Sequence, residues 1–411
     1  MGRYLKKFIW FLAFPAMLLT ALGVPKSLCA QGSTEEPLLV TEGSFVADTD
    51  EIATLEDLLA LIRDRSPQIL SSEAKIRTGQ TEYQAANPSL KSRLRLGEAL
   101  IKQGEKEFAL KQAIAERAHL VTTLQLQAAS LWCGLGAATK GEEVAKDQEV
   151  VLRALLERAE SMRRIDEGAA VLVEAVTGEV EGRKYAQMKL KRVQQTLKSQ
   201  LQFLTGDTTG KIQFNAKETQ VPLKLNVSRQ DTELLLAKIS ETGPGIRELG
   251  DIIESARDSH YRAGQAGKDG FMVSVLPWIP GTGGIRNRID SNRVAQQEVA
   301  SAIGLQATVA VEEVRARMAI LVREAHEAIR QGDTELKSSL EQIKRAKEAY
   351  RLNDLRLKMN VQGASTADVL TSLNGLEKAQ INYFLSLTDF NFAQARLAAI
   401  LGDLKRAPMS R

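Results

Sequence analysis

The sequence predicts a mainly α protein made of two tandem copies of a long antiparallel helical hairpin. Three observations lead there. No proline occurs between Pro88 and Pro222, or between Pro280 and Pro408. Both stretches are rich in Ala, Leu, Glu, Lys, Gln and Arg, which lose little freedom in a helix. The chain also repeats itself. Shifting Thr54–Ile76 by 177 positions matches Glu56 with Glu233, Leu58 with Leu235, Leu59 with Leu236, Ala60 with Ala237, Ile62 with Ile239, Pro67 with Pro244, Ile69 with Ile246 and Ile76 with Ile253. The third observation is a seam of 3.5-residue period: Leu373, Leu376, Gln380, Tyr383, Leu387, Phe390, Gln394, Leu397 and Leu401. Ala186, Leu190, Val193, Leu197, Gln200 and Leu204 repeat it in the first copy. Such seams mark antiparallel coiled-coil packing.

Residues 1–30 read as a secretory signal. Arg3, Lys6 and Lys7 precede an apolar run from Phe8 to Val24, and cleavage is expected after Ala30. The segment also holds Lys26 and no acid, so it carries the whole formal charge of +4. Without it, 51 basic residues face 51 acidic ones. A neutral chain lacks the basic face that nucleic-acid binding requires. Cys133 is then the remaining cysteine, expected as a buried, inert thiol, and a disulfide or zinc scaffold is excluded. Residues 31–53, with six acids and no Lys or Arg, are expected to form an acidic extended arm. The copies follow at 54–207 and 231–403. An extended linker at 208–230 joins them, with Lys211–Phe214 as a short strand, and 404–411 is a tail.

Each copy reads as helix, break, very long helix, turn, helix. The long helices are expected at Ser92–Ile165 and Arg286–Met359, the first weakened by Gly134, Gly136 and Gly141. At ~1.5 Å per residue the second would span roughly 110 Å, which makes an elongated molecule. The break in the second copy, Gly264–Gly284, contains the apolar run Phe271–Leu276 and has room for one strand or a short hairpin. In the first copy the break is Asn87–Arg93. The turn before the last helix reads Asn360-Val361-Gln362-Gly363-Ala364-Ser365-Thr366-Ala367-Asp368-Val369-Leu370. Ser365 with Asp368 three residues on matches a capping box with Asp in place of Glu. The first copy has Gly168 at the matching turn and Glu174 in the helix that follows.

Three features together resemble the TolC family of outer-membrane efflux and secretion channels. They are the proline turns Arg65-Ser66-Pro67-Gln68-Ile69 and Thr242-Gly243-Pro244-Gly245-Ile246, the tip running into Asp368-Val369-Leu370, and the tail from Asn382-Tyr383-Phe384 through Phe390-Asn391-Phe392-Ala393 to Leu401-Gly402-Asp403. The resemblance implies a homotrimer whose helical hairpins close a TolC-like α-barrel in the periplasm. It also implies partnership with a periplasmic adaptor and an inner-membrane pump, and a place at the outer membrane. It makes Asp368, Glu174 and Thr371 candidate residues of the pore constriction. Gly168, Gly363 and Ser365 become candidates for the periplasmic tip and for adaptor contact. The family's turn glycine falls on Gln362, and a second acid it often carries falls on Thr371.

The breaks depart from the family pattern. Two membrane-spanning strands need ~9–11 residues each. Three such chains would supply three to six strands, fewer than the eight of the smallest transmembrane barrels. A reduced or absent β-barrel portion is therefore expected. An enzyme is not. His119, His260 and His326 are scattered, His326-Glu327 lacks the second zinc histidine, and Gly281-Thr282-Gly283-Gly284 lacks the third glycine of a dinucleotide loop. No cofactor or metal is implied. The two function classes left are a channel component for efflux or secretion and a non-conducting periplasmic coiled-coil scaffold.

Overall fold

The computed structural model describes residues 51–86, 96–164, 170–223, 233–234, 236–237, 246–266, 283–359, 361–363 and 365–401. The elements are β1 (Glu51–Ile52), α1 (Leu55–Arg65), α2 (Pro67–Ala85), α3 (Leu96–Arg163), α4 (Ala170–Thr205), β2 (Gln213–Phe214), a 3-10 turn (Ala216–Gln220), α5 (Ile246–Ala266), α6 (Gly283–Lys358) and α7 (Thr366–Leu401). The expected signal, the acidic arm before Glu51, Gly168, the run Phe271–Leu276 and the tail 404–411 lie outside the described residues.

The helices follow composition and punctuation. α3 and α6 run 68 and 76 residues, and α4 and α7 run 36 each. Pro67 opens α2 behind Ser66, whose backbone stays extended at φ −60° and ψ 126°. A proline at the first helical position gives up a hydrogen bond that position would lack anyway. Among the described residues the strands are β1 and β2, two residues each and paired in parallel. The expected short strand near Lys211–Phe214 thus exists, and its partner is the end of the acidic arm. Ten residues separate α2 from α3 and sixteen separate α5 from α6. Two membrane-spanning strands need ~18–22 residues before their turn, more than either interval has. The strand portion is reduced, as expected. Among the described residues no helix is long and apolar enough to cross a membrane.

The structure divides into two compact units, each drawing on both halves of the chain. The first takes in residues 51–59 and the described parts of Gln127–Leu223 and Gly332–Phe392. Its centre is the segment from β2 to Leu223, which lies across the helices as a strap. Glu218 Oε1 accepts from Trp132 Nε1 at 2.9 Å and from the Leu55 backbone N–H, so one carboxylate oxygen holds both α3 and the start of α1. Asn391, fully buried in α7, accepts from Leu223 N at 2.8 Å and donates through Nδ2 to the carbonyls of Thr219 at 2.9 Å and Val221 at 3.0 Å. Gly136 lets the strap approach α3: a Cβ there would meet Thr219 Oγ1 and lie 2.9 Å from Ala216 O. Gly134, Gly136 and Gly141 do not interrupt α3. Trp132, Leu135, Leu201, Leu387 and Phe214 of this unit are buried. Cys133 is buried as expected, and burial pushes its thiol up to about 12.

The predicted seam on α7 is the packed face, with Leu373, Leu387, Phe390, Gln394 and Leu397 buried. On α4 Leu197 and Leu204 are buried, but Gln200 is exposed and Leu201 takes its place. A helix of 3.6 residues per turn drifts against a 3.5-residue template, and the contact row moves one residue on.

The second unit takes in the described parts of Ala60–Leu126, Lys224–Gln331 and Ala393–Arg411. Ala115, Ile252 and Ala307 form a core joined by Phe108 and Ile253. Ile69 and Ile246, matched by the sequence repeat, are both buried. Around this core Lys111 Nζ donates to Asp251 O at 3.1 Å and lies 3.3 Å from Glu107. Arg117 pairs with Glu73, and Arg396 with Glu324 at 3.1 Å.

Two predictions concern the strap. Gly136→Val should destabilise the chain by ~2–3 kcal/mol through overpacking against strap backbone. Gly141→Ala, which meets Leu190 at an ordinary 3.5 Å, should be neutral or mildly stabilising. Denaturant titration followed by far-UV dichroism separates the two; equal midpoints would contradict the close approach. Glu218 supplies the second. Burial raises its carboxyl above the ordinary 4.5, against the lowering effect of the Trp132 and Leu55 hydrogen bonds. Both bonds fall on Oε1, and Oε2 is buried with no protein partner, which suits a protonated acid. The folded chain then binds this proton more tightly than the unfolded one. That stabilisation is complete below the ordinary value and fades as pH rises through the raised one. Glu218→Gln keeps the accepting oxygen, so the variant should gain on the wild type as pH rises from the ordinary carboxylate value through the raised one. A difference in midpoint that stays constant over that range would exclude the protonated acid.

Candidate functional site at the helical hairpin tips

α6 ends at Lys358 and α7 begins at Thr366, so residues 359–365 form a hairpin tip. The last turn of α6 closes with Met359 N donating to Leu355 O at 2.9 Å and Val361 N to Arg356 O at 3.0 Å. Gly363 sits at φ +84°, a left-handed conformation that side chains rarely tolerate, with open space where a Cβ would point. Arg158 of α3 donates through Nη2 to Leu357 O at 2.6 Å and so satisfies an end carbonyl of α6.

The capping box forms as the sequence predicts. Asp368 Oδ2 accepts from Ser365 Oγ at 2.7 Å and from Ser365 N at 3.2 Å. Ser365 Oγ in turn accepts from Asp368 N at 3.1 Å. Asp368 is therefore the N-terminal clasp of α7, and its charge also faces the positive end of the helix dipole. Asn353 Nδ2 donates to Asp368 O at 3.3 Å, tying α6 to the start of α7. Thr371 Oγ1 donates back to Ala367 O at 2.8 Å. Ser365, Asp368 and Thr371 are all exposed. In the first hairpin Glu174 is exposed in the first turns of α4, beside Val171 at 76% exposure. Gly168 falls outside the described residues.

Beneath the tips the four helix ends share one core. Leu152 and Leu155 come from α3, Val176 and Val180 from α4, Leu357 from α6, and Val369 and Leu373 from α7. One polar cluster is set into the packing. Arg183 of α4 is buried, and its Nη2 lies 2.5 Å from Glu377 Oε2 and 3.0 Å from Asn374 Oδ1 on α7, with Glu179 at 3.6 Å. One guanidinium thus serves two carboxylates. Burial raises the Glu377 carboxyl, which Arg183 opposes and Glu179 reinforces. The sequence singled out none of these residues, because a mid-helix Arg and two Glu look like an ordinary solvated face.

The exposed face of α7 that carries Asp368 and Thr371 continues through Gly375, Lys378 and Asn382. Those steps of three and four residues keep to one stripe, opposite the packed seam. Lys378 and Asn382 were legible only as the complement of that seam. Among the described residues no group of His, Cys, Asp and Glu could hold a metal ion.

The fold has solved counterparts. A membrane protein from Pseudomonas aeruginosa matches 91% of this chain and 97% of its own, at 15% identity and a TM-score of 0.62. The open state of the Neisseria gonorrhoeae MtrE outer-membrane channel matches 87% of this chain and 91% of its own, at 14% identity and a TM-score of 0.57. The outer-membrane protein VceC from Vibrio cholerae matches 85% and 96%, at 14% identity and a TM-score of 0.58. No protein-family model matches the chain, and no curated protein matches it by sequence. The chain has the TolC-family fold, a channel-like helical architecture with a reduced strand portion.

The clasp yields a prediction. Ser365→Ala and Asp368→Ala should each cost ~1 kcal/mol by losing the cap, and the double variant little more than either, because both act on one box. Thermal unfolding of the three variants checks this; fully additive losses would mean that the two residues act separately.

Proposed function

We propose that the protein is a channel component of a tripartite efflux or type I secretion system, placed between periplasm and outer membrane. Three copies conduct substrate through a helical tunnel. The observation that carries this is the match of most of the chain to solved outer-membrane proteins, the MtrE channel among them. Residues 54–207 and 231–403 are tandem copies joined by 208–230. Residues 1–30 direct export, 31–53 form the arm and 404–411 the tail. Asp368, Thr371 and Glu174 stand at the constriction, where three copies of each carboxylate favour cations. Gly168, Gly363 and Ser365 shape the tips that meet a periplasmic adaptor joined to an inner-membrane pump.

Surface chemistry supports assembly from several copies. α6 exposes Leu305 at 67%, Val309 at 59% and Ile320 at 55%. Their spacing of four and eleven residues keeps them on one face. Exposed apolar stripes of this kind mark contact with another surface. A non-conducting scaffold is the second reading, favoured by the ten- and sixteen-residue intervals, shorter than two membrane-spanning strands.

Three measurements test the proposal. Membrane fractionation places the protein. Light scattering should give a trimer for the wild type and a smaller, still helical particle for Leu305→Glu with Val309→Glu. Conductance of the reconstituted oligomer decides between channel and scaffold. Asp368→Ala should leave the trimer intact and weaken block by divalent cations; unchanged conductance would remove Asp368 from the constriction.

A further inference from the structure

We infer that residues 31–50 dock on the outer face of α4, their acids on its cations and their apolar residues over its exposed aromatic and Met side chains. The inference needs neither a trimer nor conduction. It begins from the charge of α4. From Arg183 to Thr205 the helix carries Arg183, Lys184, Lys189, Lys191, Arg192 and Lys198 and no acid. Arg183 is taken up by the buried cluster with Glu377. Lys191 lies 3.9 Å from Glu142, and Lys184 faces Glu149, an acid already bonded to Arg153 and Gln187. Lys189, Arg192 and Lys198 make no ion pair among the described residues. On α6, by contrast, Arg315, Arg317, Lys337, Lys344, Arg351 and Lys358 each sit against a carboxylate three or four residues away on the same helix. The outer face of α4 also exposes Tyr185 at 58%, Met188 at 57% and Phe203 at 71%. Steps of three, four, seven and four residues, through Arg192 and Ser199, keep them on one stripe. A cationic face with apolar side chains set among the charges fits a chain that is both acidic and apolar.

Such a chain stands directly before β1. Residues 31–50 hold Glu35, Glu36, Glu42, Asp48 and Asp50, no Lys or Arg, and the apolar residues Leu38, Leu39, Val40, Phe45 and Val46. Their point of departure is fixed. β1 pairs with β2 in parallel, and Asn215 Nδ2 donates to Glu51 Oε1 at 2.8 Å. Parallel strands are entered from the same side, and the segment that enters β2 comes from the end of α4. The chain before Glu51 therefore leaves on the side of α4, where Lys211 is exposed. The eight residues from Thr205 to Gln213 span at most ~28 Å, and α4 from Phe203 back to Tyr185 is ~27 Å long. Twenty extended residues reach ~65 Å, enough for both. Taken in order along α4, Phe45 and Val46 meet Phe203, Glu42 meets Lys198, and Glu35 and Glu36 meet Arg192 and Lys189. The docked arm covers the apolar side chains of α4, and α6 keeps its apolar stripe for another chain.

The test uses the full-length protein with Cys29→Ser, so that Cys133, which is buried, is the remaining native thiol. Ser44→Cys in the arm is combined with Ser199→Cys, exposed on α4, or, as a control, with Ser338→Cys, exposed on α6. A short bismaleimide should link the first pair within one chain and leave the second unlinked. Adding Lys189→Glu, Arg192→Glu and Lys198→Glu together should lower the yield roughly tenfold, the scale of three exposed ion pairs. Raising the salt should lower it without those changes. In a separate chain, deleting residues 33–48 should raise the rate at which a polymer maleimide labels Ser199→Cys. Equal linking to Ser199→Cys and Ser338→Cys, or a yield that ignores the three charge reversals, overturns the inference. A linked product of twice the mass would give the face to the arm of a second copy. Labelling unchanged by the deletion would leave the face to another partner or to water. Either result overturns it too.

Discussion

The first unit depends on the clasp between the strap and the helices around it. Long helices joined only by apolar seams are free to slip by a heptad, because a 3.5-residue pattern looks nearly the same after every seven residues. Directional bonds remove that freedom. Glu218 takes its two N–H groups from Trp132 and from Leu55, and Asn391 reads three backbone groups of the strap at once. Each of these contacts is satisfied in one register only. The β1–β2 ladder, two residues long, is too short to be stable alone and is ordered by the same contacts.

Burying polar groups this way costs desolvation, and the chain accepts that cost in few places. Asn391 is fully satisfied and so is cheap to bury. The Arg183 cluster is different. It sets one cation against two carboxylates, leaving Arg183 Nε and Glu179 Oε2 buried without a hydrogen bond. A well-packed apolar trio would serve stability as well or better. Its position just beneath the tips, between α4 and α7, ties the two helices together by charge as well as by packing.

The tips and the exposed faces divide the labour of the proposed function. The capping box and Gly363 determine where α7 starts, and hence where Asp368 stands. Packing beneath the tip holds the four helix ends together through Leu152, Val176, Leu357 and Val369. The outer faces then differ in chemistry: α4 and α6 show apolar side chains, and α7 shows polar ones.

By itself the sequence determined the helical class, the lengths of the long helices, the capping box at Ser365 and Asp368 and the shortness of the strand portion. All of these follow from local rules of spacing, capping and proline placement, which need no distant partner. It also determined the resemblance in fold, through the order of degenerate motifs. Tertiary structure alone decided the strap. Glu218 and Asn391 look like any surface Glu and Asn until chain segments more than 80 residues away in sequence close on them. It decided what Gly136 is for, since a helix-weakening glycine becomes a contact point only when Thr219 lies against it. It moved the α4 seam from Gln200 to Leu201 and placed Arg183 inside rather than outside. Local periodicity names a face of a helix; which residues on that face are buried is decided by the helices that arrive to cover it.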